Sequence, residues 1–398
     1  MAKKTVADIE LSGKKVLVRV DFNVPLDETG DLADALRIQA ALPTLEYILE
    51  RGGALVLMSH LGRPKGKVVP ELSLKPVAQR LSQDLGREVR LAPDCVGAEV
   101  EVLAAGLQSG EVLLLENLRF HAEEEDNSAA FARQLGQLGD VYVNDAFGAA
   151  HRAHAPTAAV TEYTSEAVSG FLMEREIRYL DETISHPQRP FVAVLGGAKV
   201  SGKIEVIDHL LAKVDALIIG GGMAYTFFKA MGLEIGDSLL EEDLVEVAQR
   251  VMQQAERVGV ELLLPSDSVV ADRFAADAQI EIVTRDAFAP GWMGLDIGPQ
   301  TCKTFADKLG AARTIVWNGP MGVFELPPFA AGTRALGEAI ARSTEQGAIS
   351  VVGGGDTASA LAQAGLSEKM THISTGGGAS LEAMAGRELP GVAVLAEK

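Results

Sequence analysis

The sequence of 398 residues contains few cysteines and no long apolar segment. Its two cysteines, Cys95 and Cys302, lie far apart without the spacing of metal ligands, so we expect two buried thiols rather than a disulfide. No apolar run reaches the roughly 18 residues that a membrane-spanning helix needs. These absences argue against a disulfide-stabilised secreted domain and predict a protein that has no membrane partner.

Basic residues are scarce relative to acidic ones. The chain has 36 lysine and arginine residues against 55 aspartate and glutamate residues, a formal net charge of −19. A surface that binds nucleic acid or anionic lipid in general needs positive charge, so we expect no nucleic-acid partner either. The N-terminal residues lead into a strand pattern rather than the apolar core of a signal peptide, which predicts a cytoplasmic protein.

Glycine, in contrast, is abundant and follows apolar strands in the second half of the chain. Three strand patterns run into triple glycines and then into helical patterns, at Gly220–Gly222, Gly353–Gly355 and Gly376–Gly378, and a fourth runs into Gly196-Gly197. Glycine lets the backbone approach a ligand closely, and the N-terminus of the helix behind it offers unpaired N–H groups to an anion. Four such turns predict a phosphate-rich ligand.

Short β-branched runs alternate with helical patterns along the whole chain, which is typical of parallel sheets with crossover helices. Strands are predicted at 16–22, 54–59, 112–115 and 141–144, and again at 191–195, 216–219, 261–264, 314–316 and 348–352. A charged amphipathic pattern at 172–184 predicts a connecting helix. The sequence therefore predicts two doubly wound, Rossmann-like α/β domains of parallel strands, at 1–172 and 189–386, joined by an interdomain helix and hinge at 173–188.

Polar and basic side chains follow the predicted strands of the first half, where doubly wound sheets bind their ligands. The candidates are Asp21, Asn23, Arg37, His60, Arg63, Arg119 and Arg152. Arginine offers a planar fork of donors that suits phosphate and carboxylate. A surface ion pair explains any one arginine equally well, but the strand-end sites together predict a pocket for a small polyanion. His121 is assigned to a solvated acidic loop with Glu123–Glu125.

In the second half, Gly197–Lys203 fits the first part of a P-loop, but Ile204 stands where that motif needs a magnesium-binding hydroxyl. The P-loop interpretation therefore fails. Lys199 and Lys203 remain candidates for phosphate contacts, because they are four residues apart across a strand–helix turn.

Three further residues are candidates beside the glycine turns. Asp356 follows Gly353–Gly355 and is the best placed oxygen ligand for Mg²⁺. Its structural alternative is a helix N-cap, and both roles could hold at once. Thr357 adds a hydroxyl at the same turn. Glu325 follows the strand at 314–316 and could accept from a ribose hydroxyl, or could be a solvated loop acid.

These motifs together resemble the phosphoglycerate kinase family. The segments that carry the resemblance are Arg19–Pro25, Ser59–Pro64, Glu116–Phe120, Asn144–Arg152, Gly196–Val200, Trp317–Glu325, Gly353–Thr357 and Ser374–Glu382. They extend over essentially the whole chain, in the order of the family. Gly202 departs from the pattern, because the family more often has an acidic residue there.

The resemblance implies a glycolytic kinase, a phosphotransferase with a carboxyl group as acceptor. The family moves the 1-phosphoryl group of 1,3-bisphosphoglycerate to ADP, giving 3-phosphoglycerate and ATP reversibly, by direct in-line transfer with domain closure. It implies a glycerate-binding N-terminal domain, on which the segment 387–398 packs, and a C-terminal domain that binds the magnesium nucleotide. It also favours a monomer.

The resemblance further implies the roles of the candidates. The 3-phosphoglycerate site is Asp21, Asn23, Arg37, His60, Arg63, Arg119 and Arg152. The nucleotide site is Gly197, Lys203, Gly221, Gly294, Asn318, Glu325, Gly354, Gly355, Asp356 and Thr357, with Mg²⁺ on Asp356. A carboxylate acceptor has no proton to remove, so transfer needs positioning and charge neutralisation rather than a general base. The catalytic candidates are Arg37, Lys199 and the backbone at Gly377.

Two alternatives are weaker. A nicotinamide-dependent oxidoreductase needs Gly-x-Gly-x-x-Gly with an acid about 20 residues further on, and none of the glycine runs has that spacing. A non-catalytic nucleotide-binding regulator would leave the arginines of the first half unexplained.

Overall fold

A computed structural model describes residues 2–27 and 29–398 of the chain. They form two compact units, Met1–Ile177 together with Glu388–Lys398, and Arg178–Arg387. Each unit contains one six-stranded parallel sheet, which confirms the predicted class of two doubly wound α/β domains. None of the helices in the described residues combines the length and the apolarity that crossing a bilayer requires.

The sheet of the first unit has six parallel strands. Its strands are β1 (Lys15–Val20), β2 (Ala54–Met58), β3 (Val89–Leu91), β4 (Val112–Leu114), β5 (Val141–Asp145) and β6 (Ala167–Ser169). Their order is β3-β4-β2-β1-β5-β6, and every neighbouring pair is parallel. Helices cover both faces of such a sheet, which is why β1 and β2 are nearly continuous apolar runs. The sequence did not predict β3 and β6, which are only three residues long.

The helices of the first unit connect these strands. They are α1 (Leu36–Glu50), α2 (Lys75–Leu85), α3 (Ala98–Ala105), α4 (Ala129–Gly136) and α5 (Phe171–Ile177). The C-terminal segment of the chain belongs to the same unit. The Asn144 side-chain amide donates to the Gly391 carbonyl at 2.9 Å, and the Ala396 amide donates to the Ala167 carbonyl at 2.9 Å.

The predicted connecting helix at 172–184 is a helical run in three pieces. After α5, residues Arg178–Glu182 form a π-helical turn, and α6 (Thr183–Ser185) completes the run. The boundary between the two units falls at the start of the π-helical turn. π-Turns inside helices are rare, and periodicity in the sequence gives no signal for them.

The second unit contains two sheets. Its strands are β7 (Phe191–Leu195), β8 (Ala216–Ile219), β9 (Glu261–Leu263), β10 (Asp267–Ala271), β11 (Ile280–Thr284), β12 (Met293–Ile297), β13 (Thr314–Asn318), β14 (Ile349–Gly353) and β15 (His372–Ile373). The parallel sheet has the order β15-β14-β13-β7-β8-β9, and β11-β10-β12 is a separate antiparallel sheet. The antiparallel sheet was not predicted from the sequence. β11 is exposed along most of its length, and its apolar Ile280 and Ile282 lie at the surface.

Four of the helices of the second unit follow the glycine turns. The α-helices of this unit after α6 are α7 (Ile204–Leu211), α8 (Met223–Ala230), α9 (Val245–Val258), α10 (Pro299–Gly310), α11 (Ala331–Glu345), α12 (Gly355–Gln363) and α13 (Gly378–Met384). The four that follow glycine turns are α7, α8, α12 and α13. The three triple glycines lie between β8 and α8, between β14 and α12, and between β15 and α13. The predicted strand–glycine–helix arrangement is therefore confirmed at all three. The fourth turn is longer and ends at Lys203, immediately before α7.

One buried carboxyl group makes the stability of the first unit depend on pH. Asp145 ends β5, and its Oδ1 accepts from the Met173 amide of α5 at 3.0 Å, while its buried Oδ2 has no partner in the described residues. Burial raises the pKa of Asp145 to about 7. An unfolded aspartate ionises near pH 4. Between these values the folded state keeps a proton that the unfolded state releases, so this group's contribution to stability is lost as pH rises from about 4 to 7.

We expect Asp145→Asn to flatten the pH dependence of stability, because the neutral amide resembles the protonated carboxyl and does not titrate. Urea midpoints measured from pH 4 to pH 8 should fall less steeply in the variant, with the largest relative gain above pH 7. Asp84→Asn, on the surface of α2, is the matched control and should keep the wild-type slope. Equal slopes for wild type and Asp145→Asn would contradict the assignment.

Candidate functional site

The loops after β1 and β2 meet at one edge of the first sheet, because these strands are neighbours. The Asn23 side-chain oxygen accepts from the Gly62 amide at 2.9 Å, which ties the two loops together. Arg37, on the first turn of α1, donates from Nη1 to Asp21 Oδ2 at 2.8 Å and to the Asn23 carbonyl at 3.2 Å. The structure thus brings Asp21, Asn23 and Arg37 together, as predicted, and leaves Arg37 36% exposed.

A buried arginine sets the protonation state of His60. Arg19 is only 1% exposed, and its Nη2 lies 2.9 Å from His60 Nδ1, while its Nη1 donates to the Val20 carbonyl. A guanidinium can only donate, so Nδ1 is the acceptor and the imidazole proton is on Nε2. Burial and the charge of Arg19 hold the pKa of His60 well below its usual range. His60 is therefore a neutral donor through Nε2.

A fully buried carboxylate holds Arg119. Glu124 Oε2 accepts from Arg119 Nε at 3.4 Å, and its Oε1 lies 3.2 Å from His154 Nδ1. Arg119 also donates from Nη1 to the Gly62 carbonyl at 3.1 Å. Burial favours a raised pKa for Glu124, but the hydrogen bond from His154 and the charges of Arg19 and Arg119 outweigh it and lower the pKa. Glu124 is thus an ionised anion among cations.

The expectation of a solvated acidic loop at Glu123–Glu125 is wrong for Glu124, whose side chain has no exposure. Three consecutive glutamates carry no signal that the middle one is buried, so the sequence alone could not identify it. The expectation is also wrong for His121, which is paired with Asp94 rather than solvated among acids.

Arg63 and Arg152 are the remaining arginine candidates of the first unit. Both are exposed, and neither forms an ion pair within residues 2–27 and 29–398. Arg63 follows Gly62, to which Asn23 and Arg119 are bonded. Hydrogen bonds through Asn23, Gly62 and Arg119 therefore join the segments that follow β1, β2 and β4. His60 and Arg63 lie in the loop after β2, and Arg152 lies in the loop after β5.

The second unit contains a cavity of about 610 Å³. Five of the predicted residues line it: Gly197, Gly221, Gly294, Glu325 and Asp356. Apolar side chains that the sequence analysis did not single out form much of the remaining wall, among them Leu239, Phe274, Leu295 and Val323. A cavity of this volume, apolar with a few polar groups, is typical of a site for a small organic ligand.

Glycines at the cavity permit close backbone approaches. A Cβ on Gly319, at φ +97°, would lie 2.3 Å from the Gly196 carbonyl oxygen, and one on Gly221 would lie 2.6 Å from the Gly197 nitrogen. Gly294 is different, because a Cβ there would lie 2.1 Å from the Tyr225 hydroxyl. Packing against Tyr225 is therefore a structural reason for glycine at 294, in addition to any ligand.

An unpartnered amide marks the turn after β13. Asn318 is 2% exposed, and its Nδ2 is a buried donor that has no acceptor among the described residues. A Cβ on Gly354 would lie only 3.1 Å from that nitrogen. Leaving a buried donor unpaired is costly, which points to an acceptor supplied by a ligand. The Thr357 hydroxyl, in contrast, accepts from the Gly319 amide at 2.8 Å and so holds this turn in place.

Lys203 and Asp356 provide opposite charges near the cavity. Lys203 is half-buried, and burial lowers its pKa while Asp356 opposes that shift. Asp356 is exposed in the first turn of α12, whose N-cap is Gly354 without a side-chain cap. The N-cap alternative for Asp356 is therefore wrong. Asp356 is one of three exposed carboxylates that line the cavity, with Asp237 and Glu325. A carboxylate at a cavity fits Mg²⁺, which keeps several waters and binds phosphates as well.

The contacts of Lys199 and Gly377 in the structure do not identify a role for either residue. Lys199 is exposed on the turn before α7. Gly377, the N-cap of α13, has φ +50°, and a Cβ there would meet open space. Gly355, the remaining candidate, is the exposed first residue of α12.

Comparison with known proteins gives one consistent result. A family model described as phosphoglycerate kinase matches residues 6–387. The chain is 56% identical to the phosphoglycerate kinase of Chloroherpeton thalassium over 395 residues, 99% of each chain. It is also 56% identical to the cytosolic phosphoglycerate kinase of Triticum aestivum, covering 99% of this chain and 98% of the relative.

Solved structures agree. The phosphoglycerate kinase of Coxiella burnetii superposes with a TM-score of 0.90 at 42% identity, and that of Pyrococcus horikoshii with 0.84 at 32%, each covering 98% of both chains. The predicted resemblance is confirmed, and the oxidoreductase and regulator alternatives are not favoured. The chain belongs to the phosphoglycerate kinase family.

Proposed function

We propose that this chain transfers the 1-phosphoryl group of 1,3-bisphosphoglycerate to ADP, giving 3-phosphoglycerate and ATP, and that its transfer is direct and in line. The observation that carries the proposal is the chemistry of the two sites. In the first unit Arg63 follows Gly62, to which Arg119 is bonded. The second unit has an apolar cavity bordered by glycine turns and by three exposed carboxylates, those of Asp237, Glu325 and Asp356. These sites suit a small polyanion and a magnesium nucleotide, respectively.

In the first unit, Arg63, Arg119 and Arg152 bind the non-reacting 3-phosphate. Two of these are exposed cations without ion pairs among the described residues, and Arg119 is held in orientation by Glu124 and the Gly62 carbonyl. His60 donates from Nε2, while Asp21 and Asn23 bind the C2 hydroxyl and carboxyl end of the glycerate. Neutral His60 adds a hydrogen bond without adding charge.

In the second unit, Gly197, Gly221 and Gly294 line the adenosine and Glu325 accepts from the ribose. The phosphate contacts are Lys203, Asn318, Gly354, Gly355 and Thr357. The unpaired Nδ2 of Asn318 supports its place in this set. Asp356 holds Mg²⁺, which when bound neutralises charge on the nucleotide phosphates.

The acceptor in the reverse direction is a carboxylate, so no general base takes part. The remaining task is to neutralise charge on the equatorial oxygens of the transferred group. Arg37 and Lys199 carry out that task with their side chains, and Gly377 does so with its backbone N–H. We also propose a cytoplasmic monomer without nucleic-acid or membrane partners, which mass measurement in solution tests for the oligomeric state.

The proposed function is tested by ATP formation from 1,3-bisphosphoglycerate and ADP in a coupled assay, with folding checked by circular dichroism. We expect ATP formation that requires both substrates and Mg²⁺. Folded protein without activity would overturn the proposal.

Replacing Glu124 by glutamine should weaken binding of 3-phosphoglycerate. The substitution removes the charge that holds Arg119 Nε and pairs with His154, and a hydrogen bond to a charged group contributes about 1.5–3 kcal/mol. We expect KM for 3-phosphoglycerate to rise at least about tenfold while KM for ATP is unchanged. Glu123→Gln, at the exposed neighbour, is the matched control. Equal changes in both KM values would indicate general loss of structure and contradict the assignment.

The two substrates bind to different units, and an acyl phosphate must be protected from water during transfer. We therefore propose closure when both are bound, with hinges at 173–188 and at Ser374-Thr375. X-ray scattering should show a smaller radius of gyration with both substrates than with either alone. An unchanged radius with both bound would count against closure.

A further inference from the structure

A cysteine, a histidine and an aspartate come together at the edge of the first unit's sheet. Asp94 and Cys95 lie in the loop after β3, and His121 lies between two short 3-10 turns after β4. Because β3 and β4 are neighbouring parallel strands, the loops that follow them meet. The three residues have no role in the phosphoryl transfer described above.

The donor atoms of this cluster are close enough to share one ion. The cysteine sulfur, an imidazole nitrogen and a carboxylate oxygen all lie within 4.8 Å of one another. His121 Nε2 is 2.7 Å from Asp94 Oδ1, which also accepts from the Cys95 amide at 2.6 Å. The imidazole packs against Phe131 in a tilted arrangement, with ring centroids 5.4 Å apart, so Phe131 also supports its orientation.

Burial distinguishes this cluster from a solvated acidic patch. Cys95 has no exposure, while the side chains of His121 and Asp94 are 28% and 46% exposed. The thiol therefore lies at the closed end of the cluster, and the other two donors lie toward solvent, from which an ion can enter. The hydrogen bond between His121 and Asp94 does not by itself explain why a buried thiol lies beside these two side chains.

We propose that Asp94, Cys95 and His121 form a zinc-binding site. Sulfur, imidazole nitrogen and carboxylate oxygen are the donors that Zn²⁺ takes in proteins, and three protein ligands leave a fourth position for water. The sulfur disfavours Mg²⁺ and Ca²⁺, which prefer oxygen. When Zn²⁺ binds Nε2 of His121, it displaces the hydrogen bond to Asp94, and the imidazole takes the tautomer that carries its proton on Nδ1. The proton of the Cys95 thiol is released to solvent.

Zinc binding should stabilise the first unit, because a ligand that binds only the folded state raises its apparent stability by mass action. Co²⁺ is a useful probe, since thiolate coordination gives an absorption band that oxygen ligands do not. The stability change and the Co²⁺ absorption band are both independent of the kinase reaction. The zinc proposal can therefore be contradicted without contradicting the proposed function, and the reverse is also true.

The test is a titration of metal-free full-length protein with Zn²⁺ by calorimetry and with Co²⁺ by absorption. We expect one equivalent bound, a thiolate–Co²⁺ band and a higher Tm with Zn²⁺. Cys95→Ser and His121→Gln should each weaken Zn²⁺ binding at least about tenfold, since even the loss of residues that support metal ligands costs that much. Cys302→Ser, at the other cysteine, is the control and should bind as wild type.

Because His121 is partly exposed, whereas Cys95 is fully buried, His121→Gln is the variant expected to keep the fold, and circular dichroism checks this. The proposal is overturned if wild type shows no one-to-one binding, if Co²⁺ gives no thiolate band, or if His121→Gln binds Zn²⁺ as tightly as wild type.

Discussion

Replacing Arg37 by alanine is expected to lower kcat by a factor on the order of 10³ or more, as for the arginine finger that stabilises phosphoryl transfer in GTPases. Arg37 is the proposed cation of the first unit that neutralises the transferred group. It is already oriented by Asp21 at 2.8 Å, and it remains 36% exposed. Its charge is therefore fixed in place without being buried by the protein.

The measurement is kcat in both directions, with folding followed by circular dichroism. Arg37→Lys should be intermediate, because it keeps a charge but loses the planar fork of donors. Arg80→Ala, at an arginine of α2 paired with Asp84, is the control and should keep wild-type kcat. A drop below tenfold for folded Arg37→Ala would remove Arg37 from the catalytic role.

Replacing Asp356 by asparagine should lower kcat/KM for the magnesium nucleotide by about 10²-fold, because Mg²⁺ contributes several kcal/mol of charge stabilisation to phosphoryl transfer. Asp356 is exposed, lines the cavity and does not cap α12. The amide keeps the shape of the side chain but removes its negative charge.

The most informative measurement is activity as a function of Mg²⁺ concentration. The variant should need more Mg²⁺ for half-maximal activity, while KM for 3-phosphoglycerate stays the same. Asp286→Asn, at an exposed carboxylate of the same unit that bonds to Thr284, is the control. An unchanged Mg²⁺ requirement would exclude Asp356 as the metal ligand.

Much of the parallel-sheet architecture could be predicted from sequence because its strands are short apolar runs ended by glycine or polar residues. The boundaries of β7 and β8 agree with the prediction at both ends. The antiparallel sheet could not be predicted, because β11 is mostly exposed and β12 includes Gly294 and Asp296. The antiparallel sheet contributes part of the cavity wall. For this reason the apolar lining of the cavity could not be predicted either.

Site residues that directly follow a predicted strand could be identified from the sequence. Residues whose role depends on being buried, or on meeting a distant segment, could not. Asn318 and Arg119 follow predicted strands in recognisable motifs. Glu124 is indistinguishable in sequence from its two exposed neighbours. Cys95 and His121 come together only because β3 pairs with β4, and β3 is too short to predict.

The central claim is that phosphoryl transfer goes to a carboxylate rather than to water. The most direct test mixes the protein with 3-phosphoglycerate, ATP and Mg²⁺ in the presence of hydroxylamine, which traps an acyl phosphate as a hydroxamate. The account predicts ADP and hydroxamate in equal amounts, with none of either when 3-phosphoglycerate is left out. ADP accompanied by inorganic phosphate without hydroxamate would contradict it.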